Sequence, residues 1–248
     1  MKLTKVLASG LIALASLGVG GSAVASGGES HPYFAVDTAN LAGLQRGARD
    51  FMAYCSGCHS LKYLRYNRMA ADLGIPEASL KAKLMFASDK PSDVIVSAMP
   101  ATAIDWLGAQ PPDLSLTARS RGADWVADYL QSFYLDPSRP LGVNNTVLPG
   151  ASMPHVLWEL QGWQAKVEHH EGAAGEGHGA KPFELVQAGK LSPEEYKKFV
   201  GDLTNFLVYA AEPGREHRKA VGWKVLAFLS VFLVLAYMLK KEYWKDVH

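Results

Sequence analysis

Cys55-Ser56-Gly57-Cys58-His59 decides how this chain is read. Its two cysteines are the only ones in 248 residues. C-x-x-C-H is the attachment signature of a c-type haem. Each thiol can add across one vinyl group of the porphyrin, and the histidine that follows is held under the ring with an imidazole nitrogen for the iron. One turn of helix presents all three groups to one face. Other chemistries fit the spacing less well. A structural zinc site takes about four protein ligands, and no second cysteine pair completes one. A thioredoxin-like dithiol sits in a βαβ context, whereas the pattern around this motif is helical. Electron transfer follows as the leading function, and a second axial ligand becomes the next thing to find.

The two ends of the chain read as export and anchoring. Residues 1–25 have the form of a secretory signal peptide: Lys2 and Lys5, an apolar run over 11–19, and an Ala23-Val24-Ala25 cleavage site, so that the mature chain starts at Ser26. Residues 221–239 are strongly apolar, with Lys224 as their one charge near the start, where a long side chain can snorkel. The run is long enough to span a bilayer, and Trp223, Tyr237, Tyr243 and Trp244 fall where an aromatic belt is expected. Lysines and arginines flank the run on both sides, so the positive-inside rule does not orient it. The signal peptide does. The haem domain is expected outside, on the periplasmic side of a bacterial cytoplasmic (inner) membrane, with 240–248 as a cytoplasmic tail. The net charge of +1 argues against nucleic acid as a partner.

Between the ends, 26–215 reads as one haem domain, predominantly helical and without a convincing sheet. A helix starts near Thr38 or Asn40 and carries Leu44, Ala48, Phe51, Met52 and Cys55 on one face. The mixed pattern continues through 61–66. Further helices are expected over 77–86, briefly over 93–98, and over 123–134, the last burying Trp125, Val126, Tyr129, Leu130 and Phe133 and stopping at Asp136-Pro137. Ser192-Pro193-Glu194-Glu195 is a capping box that opens a helix burying Tyr196, Phe199, Val200, Leu203, Phe206, Leu207 and Ala210, ended by Glu212-Pro213-Gly214. Residues 168–179 are rich in glycine and histidine and read as a solvated, flexible insertion. The fold class is therefore mainly α: a c-type cytochrome haem domain with a C-terminal single transmembrane helix.

Methionine is the common sixth ligand of an electron-carrying haem, and it raises the potential relative to harder ligand sets. Two methionines lie in Met-Pro pairs, Met99-Pro100 and Met153-Pro154. The proline stiffens the loop that would hold the thioether. Local physics does not separate the two. Met52, Met69 and Met85 sit in helical or near-motif contexts and read as packing residues, and Met238 belongs to the anchor.

The chain resembles the cytochrome c1 family, the haem-bearing subunit of the quinol–cytochrome c reductase (bc1) complex. The resemblance runs over nearly all of the mature chain. It rests on the haem motif followed by Ser60, on Pro111-Pro112-Asp113-Leu114-Ser115, Ala118-Arg119 and Asp136-Pro137, on the stretch from Pro149-Gly150 to Met153-Pro154, and on Ala210-Ala211-Glu212-Pro213 followed by His217-Arg218-Lys219 and one membrane helix. In this family the ligand methionine follows P-P-D-L-S, which implies Met153 rather than Met99. The resemblance also implies that Arg119 pairs with a haem propionate, with Arg121 as its rival, and that Pro111 and Pro112 pack against the ring edge. It implies one haem c, bound through Cys55 and Cys58, with iron between His59 and Met153. The implied partners are the cytochrome b and Rieske iron–sulfur subunits, with a cytochrome c as electron acceptor. Asp72, Glu77 and Asp105 are candidates for steering a basic cytochrome. A free-standing anchored cytochrome c would share the same haem chemistry.

Overall fold

The computed structural model describes residues 34–167 and 183–246. The signal-peptide and Gly/His-rich-loop expectations lie outside those residues. Two helices form the frame. Helix α1 (Leu41–Tyr54) is capped by Asn40, whose side chain accepts from the Gly43 N–H, and it delivers the chain to the Cys-x-x-Cys-His motif. The long helix that precedes the C-terminal apolar helix opens on the expected capping box: Ser192 and Glu195 satisfy each other's backbone groups, and Pro193 stands in the first turn.

The elements, numbered in chain order, are α1, β1 (Leu61–Arg65), α2 (Tyr66–Leu73), α3 (Glu77–Lys83), β2 (Val94–Ile95), α4 (Ala103–Leu107), α5 (Thr117–Ser120), α6 (Ala123–Gln131), β3 (Phe133–Leu135), β4 (Val143–Asn145), α7 (Trp158–Gln161), β5 (Gly162–Lys166), β6 (Phe183–Ala188), α8 (Pro193–Ala211) and α9 (Arg215–Tyr243). Among the described residues the strands form three two-stranded antiparallel sheets, β1–β2, β3–β4 and β5–β6.

Helices α1 and α8 cross at close range. Phe51 packs on Phe206 with ring centroids 5.7 Å apart, and Arg46 Nε bonds Asp202 Oδ2 at 2.6 Å. Gly47 makes the approach possible: a Cβ there would lie 2.2 Å from the Asp202 carbonyl oxygen and 2.7 Å from Phe206 Cβ. Helix α6 completes this core with Val126, Ala127, Tyr129 and Leu130. It is tied to α8 by the Tyr196 hydroxyl, which donates to the Leu130 carbonyl at 2.7 Å. Leu61, Leu64, Tyr66 and Met69 fill the other side of the same cluster.

Four local expectations change. Residues 61–66 are extended up to Arg65 rather than helical, because the Lys62 and Tyr63 N–H groups are taken by the side chains of Asp113 and Ser115 instead of by carbonyls of the preceding turn. The segment 93–98 holds a strand rather than a helix: Ile95 is fully buried and pairs with Leu61, which suits its β-branched side chain. The helix expected over 77–86 closes at Lys83. The helix expected over 123–134 ends at Gln131, and Phe133–Leu135 pairs with Val143–Asn145 instead. The reading without a sheet is corrected by these small ladders, which leave the fold mainly helical.

Helix α9 has 29 residues, about 43 Å at 1.5 Å per residue. Its most apolar 18-residue window has a mean hydropathy of 2.0, and none of that window is buried against the rest of the chain. The expected anchor at 221–239 thus lies within a single continuous helix long and apolar enough to cross a membrane. Its first turns are pinned to the chain ahead of it: Arg218 pairs with Glu212 at 2.6 Å, and the buried Thr38 hydroxyl donates to Glu216 at 2.6 Å.

Replacing Gly47 by Ala should destabilise the protein by about 1–3 kcal/mol, because overpacking between α1 and α8 outweighs the gain in helix propensity. Thermal unfolding measures it; an unchanged or raised midpoint would mean that the two helices separate without cost.

Candidate haem site

The motif occupies the turn that ends α1. Cys58 and His59 both direct their backbone N–H groups to the Cys55 carbonyl, at 3.0 and 2.8 Å. Both cysteines are free thiols, half-buried. Burial, with lesser contributions from Cys58 and Asp50, pushes the Cys55 thiol up to about 12. A dithiol built for exchange chemistry would have the opposite tuning.

His59 is fixed by the Pro-Pro-Asp-Leu-Ser segment. Its Nδ1 lies 2.8 Å from the Pro112 carbonyl oxygen. A carbonyl only accepts, so Nδ1 carries the proton and Nε2 keeps its lone pair. Burial lowers the His59 pKa, opposed by the Pro112 hydrogen bond and by Asp113, which favours the neutral, metal-binding form. The segment is fastened along the motif by further bonds. Leu114 N–H donates to the Ser60 carbonyl at 2.9 Å. Asp113 accepts from Lys62 N–H at 2.9 Å, and Ser115 Oγ accepts from Tyr63 N–H at 3.2 Å. Pro111 is half-buried and Pro112 exposed. The visible work of Pro112 is therefore done by its carbonyl.

Met153 lies in the loop between β4 and α7 and packs against the main core. Its sulfur accepts a hydrogen bond from the Tyr129 hydroxyl at 3.5 Å. Asn145, fully buried, shapes the loop. Its Nδ2 donates to the Tyr129 carbonyl at 2.8 Å, while its Oδ1 accepts from Val147 and Leu148 N–H at 2.9 and 3.2 Å. Gly150 turns the chain at φ +80°, donating to Asn144 Oδ1 at 2.8 Å and accepting from Arg139 at 3.0 Å. Asp136 in turn holds Asn144 Nδ2 at 2.9 Å, which explains the place of the Asp-Pro motif. His155, two residues past Met153, is buried and stacked on Phe133 at 5.1 Å.

Met99 lies in an irregular segment; two residues before it, Ser97 N–H donates to Ser60 Oγ at 2.9 Å. Met99 is half-buried, and it is Met153 that packs against the core. Arg119 is exposed on α5, with its charge acting on Glu212, whereas the Arg121 guanidinium lies 5.2 Å over the Trp125 ring. Trp125 stacks on Tyr129 at 5.0 Å, so Arg121 stands at the outer end of a stack whose inner end touches the Met153 sulfur. Two of the three acidic steering candidates are paired: Asp72 with Arg68 at 2.6 Å and Glu77 with Lys81 at 2.5 Å.

The donors fit a haem. Two thiols one turn apart, an imidazole with a free Nε2, and a loop-held thioether are what a covalently bound porphyrin iron requires. A Cβ added at Gly57, between the thiols, would meet nothing within 4 Å. Among the described residues no group of three His, Cys, Asp or Glu side chains converges to hold a metal without a porphyrin. Tyr129 and Asn145 were not identifiable as site residues from sequence. Tyr129 reads as one more member of an apolar helical stripe, and Asn145 as one polar residue in a loop.

Substituting Asn145 by Leu removes three hydrogen bonds, one to the end of α6 and two within the loop that leads to Met153. The expected cost is about 1–3 kcal/mol, with faster backbone hydrogen exchange over 147–151. Unchanged exchange there would mean that the loop is held by other contacts.

Comparison with known proteins gives the same direction. The Cytochrome C1 family model matches residues 33–174 and 183–247. Cytochrome c1 of Allochromatium vinosum is 52% identical over 227 residues, covering 91% of this chain and 93% of that protein. A protein of Nitrosomonas europaea named ammonia monooxygenase gamma subunit is 43% identical, covering 86% and 87%. Cytochrome b/c1 of Bradyrhizobium diazoefficiens is 30% identical, covering 83% of this chain and 33% of that longer protein. With a haem-attachment turn, an imidazole set by P-P-D-L-S and an apolar C-terminal helix all inside the matched region, the chain belongs to the cytochrome c1 family.

Proposed function

We propose that this chain is the one-electron relay of a quinol–cytochrome c reductase (bc1) complex. The observation that carries this reading is the His59 tautomer, fixed by Pro112 beside two free thiols. A bound c-type haem supplies one iron that gains and loses a single electron. Cys55 and Cys58 would hold it covalently, each thiol adding to a vinyl group. His59 Nε2 and Met153 Sδ would be the donors to its iron. A thioether is a soft donor that favours reduced iron, and with Met153 in that role the haem would have a raised potential. A basic side chain in the 119–121 segment pairs with a propionate. Arg119 is the residue implied by family resemblance, and Arg121 is supported by its place at the outer end of the Trp125–Tyr129 stack.

The chain needs neither a general base nor a substrate pocket. Its electron comes from the Rieske iron–sulfur subunit and leaves to a cytochrome c. Helix α9 crosses the bacterial cytoplasmic membrane beside cytochrome b, leaving the haem domain on the periplasmic side and 240–248 inside. A cytochrome b neighbour is supported by the Bradyrhizobium relative, whose name joins b and c1 in one protein of which this chain spans about a third.

Replacing Met153 by Lys should lower the midpoint potential, each tenfold change in the one-electron equilibrium being about 59 mV, and should slow electron arrival from the iron–sulfur centre. Redox titration with optical spectra reads both the potential and the ligand set. Unaltered values would move the thioether assignment to Met99. Purification from native membranes identifies the complex: cytochrome b and an iron–sulfur protein are expected alongside this chain, and an ammonia-oxidising assembly in their place would overturn the reading.

A further inference from the structure

Among the described residues, Tyr129 is the one side chain that donates a hydrogen bond to the sulfur of Met153. We propose that Tyr129 is a positioning residue for the methionine ligand: its hydroxyl occupies one lone pair of Met153 Sδ, leaves the other directed to iron, and raises the haem midpoint potential. The inference rests on Met153 being the axial thioether.

Both partners are held before any ligand arrives. The Tyr129 ring is buried, stacked flat on Trp125 (5.0 Å, 6° between planes) and met edge-on by Phe133 at 5.2 Å. Its backbone carbonyl is gripped by Asn145, which also holds the first residues of the loop leading to Met153. One buried amide therefore sets the phenol and the thioether in register. At the far end of the loop, Pro154 stiffens the residue that follows the sulfur.

The electronic consequence follows from the geometry. A thioether has two lone pairs and is a weak acceptor. A donor on one pair withdraws density from the other, so the sulfur gives less charge to iron. The oxidised iron needs that charge more than the reduced iron does, and the equilibrium moves toward reduction. The low-dielectric surroundings of a buried phenol strengthen the effect. Outer-shell hydrogen bonds of this kind commonly tune a metal through its ligand.

The test is Tyr129→Phe in the full-length holoprotein, which keeps the ring and removes only the hydroxyl. The expected result is a three- to tenfold shift of the redox equilibrium toward the oxidised form, about 30–60 mV lower in midpoint potential. The thioether-to-iron absorption of the oxidised protein should shift while the haem stays low-spin. An unchanged potential with an unchanged band would overturn the proposal. A changed potential with an unmoved band would overturn it as well, by showing that the phenol bonds elsewhere in the holoprotein. Met153→Lys runs in parallel: if that variant leaves band and potential intact, the ligand assignment itself fails and the role of Tyr129 falls with it, whereas a response there with none in Tyr129→Phe overturns the role of Tyr129 alone. Tyr129→Leu, which loses ring and hydroxyl, should match Phe in potential and differ only in stability; a much larger fall in potential than in the Phe variant would assign the tuning to the ring.

Discussion

The Pro112 carbonyl and His59 Nδ1 meet at 2.8 Å, and the site is organised around that contact. It selects one tautomer of the imidazole and so leaves Nε2 as the nitrogen with a free lone pair. It also explains why a distant segment must lie along the motif. Pro111-Pro112-Asp113-Leu114-Ser115 cannot hold His59 unless its own backbone is held, and Ser60, Lys62 and Tyr63 hold it. Proline suits the position because its carbonyl is free to accept while its ring restricts the chain. The strand character of β1 is a by-product: N–H groups bonded to Asp113 and Ser115 are lost to a helix.

Behind this contact stands the pairing of α1 with α8. The motif hangs from the end of α1, so its orientation is that of the helix, and the helix is fixed where Gly47 lets it approach Asp202 and Phe206. The Arg46–Asp202 pair is partly exposed and adds little energy by itself. Its effect is on register, since it sets which turn of α1 meets which turn of α8. On the opposite side, α6 presents Tyr129 to the Met153 loop. The three helices thus support both proposed donors, α1 and α8 behind His59 and α6 behind Met153.

Much of this was legible in the sequence because its signals are local. A capping box, a glycine after a helix, an apolar run of membrane length and a five-residue haem motif each act within a few residues. Helix α8 came out as expected, with every residue of its predicted stripe buried or half-buried. The errors fell where distant partners override local preference. Residues 61–65 carry a helical pattern, but their donors are taken by side chains some fifty residues later. Phe133 continues the α6 stripe, yet Asn145, twelve residues on, draws it into a ladder. In the site, the motif is what points to Cys55, Cys58 and His59, while the preference for Met153 over Met99 comes from the family resemblance. Tyr129 and Asn145 had no signal at all, because a hydrogen bond to sulfur and a buried amide bridge leave no pattern in one sequence.

The junction between the haem domain and α9 bears on how electrons can travel. Only Glu212, Pro213 and Gly214 separate α8 from α9, and Glu212–Arg218 and Thr38–Glu216 brace the joint from two sides. In the relay proposed above, a joint braced in this way would limit how far the domain it carries can pivot. Its redox centre would then work as a stationary terminal, and any movement over distance would fall to the molecules that visit it.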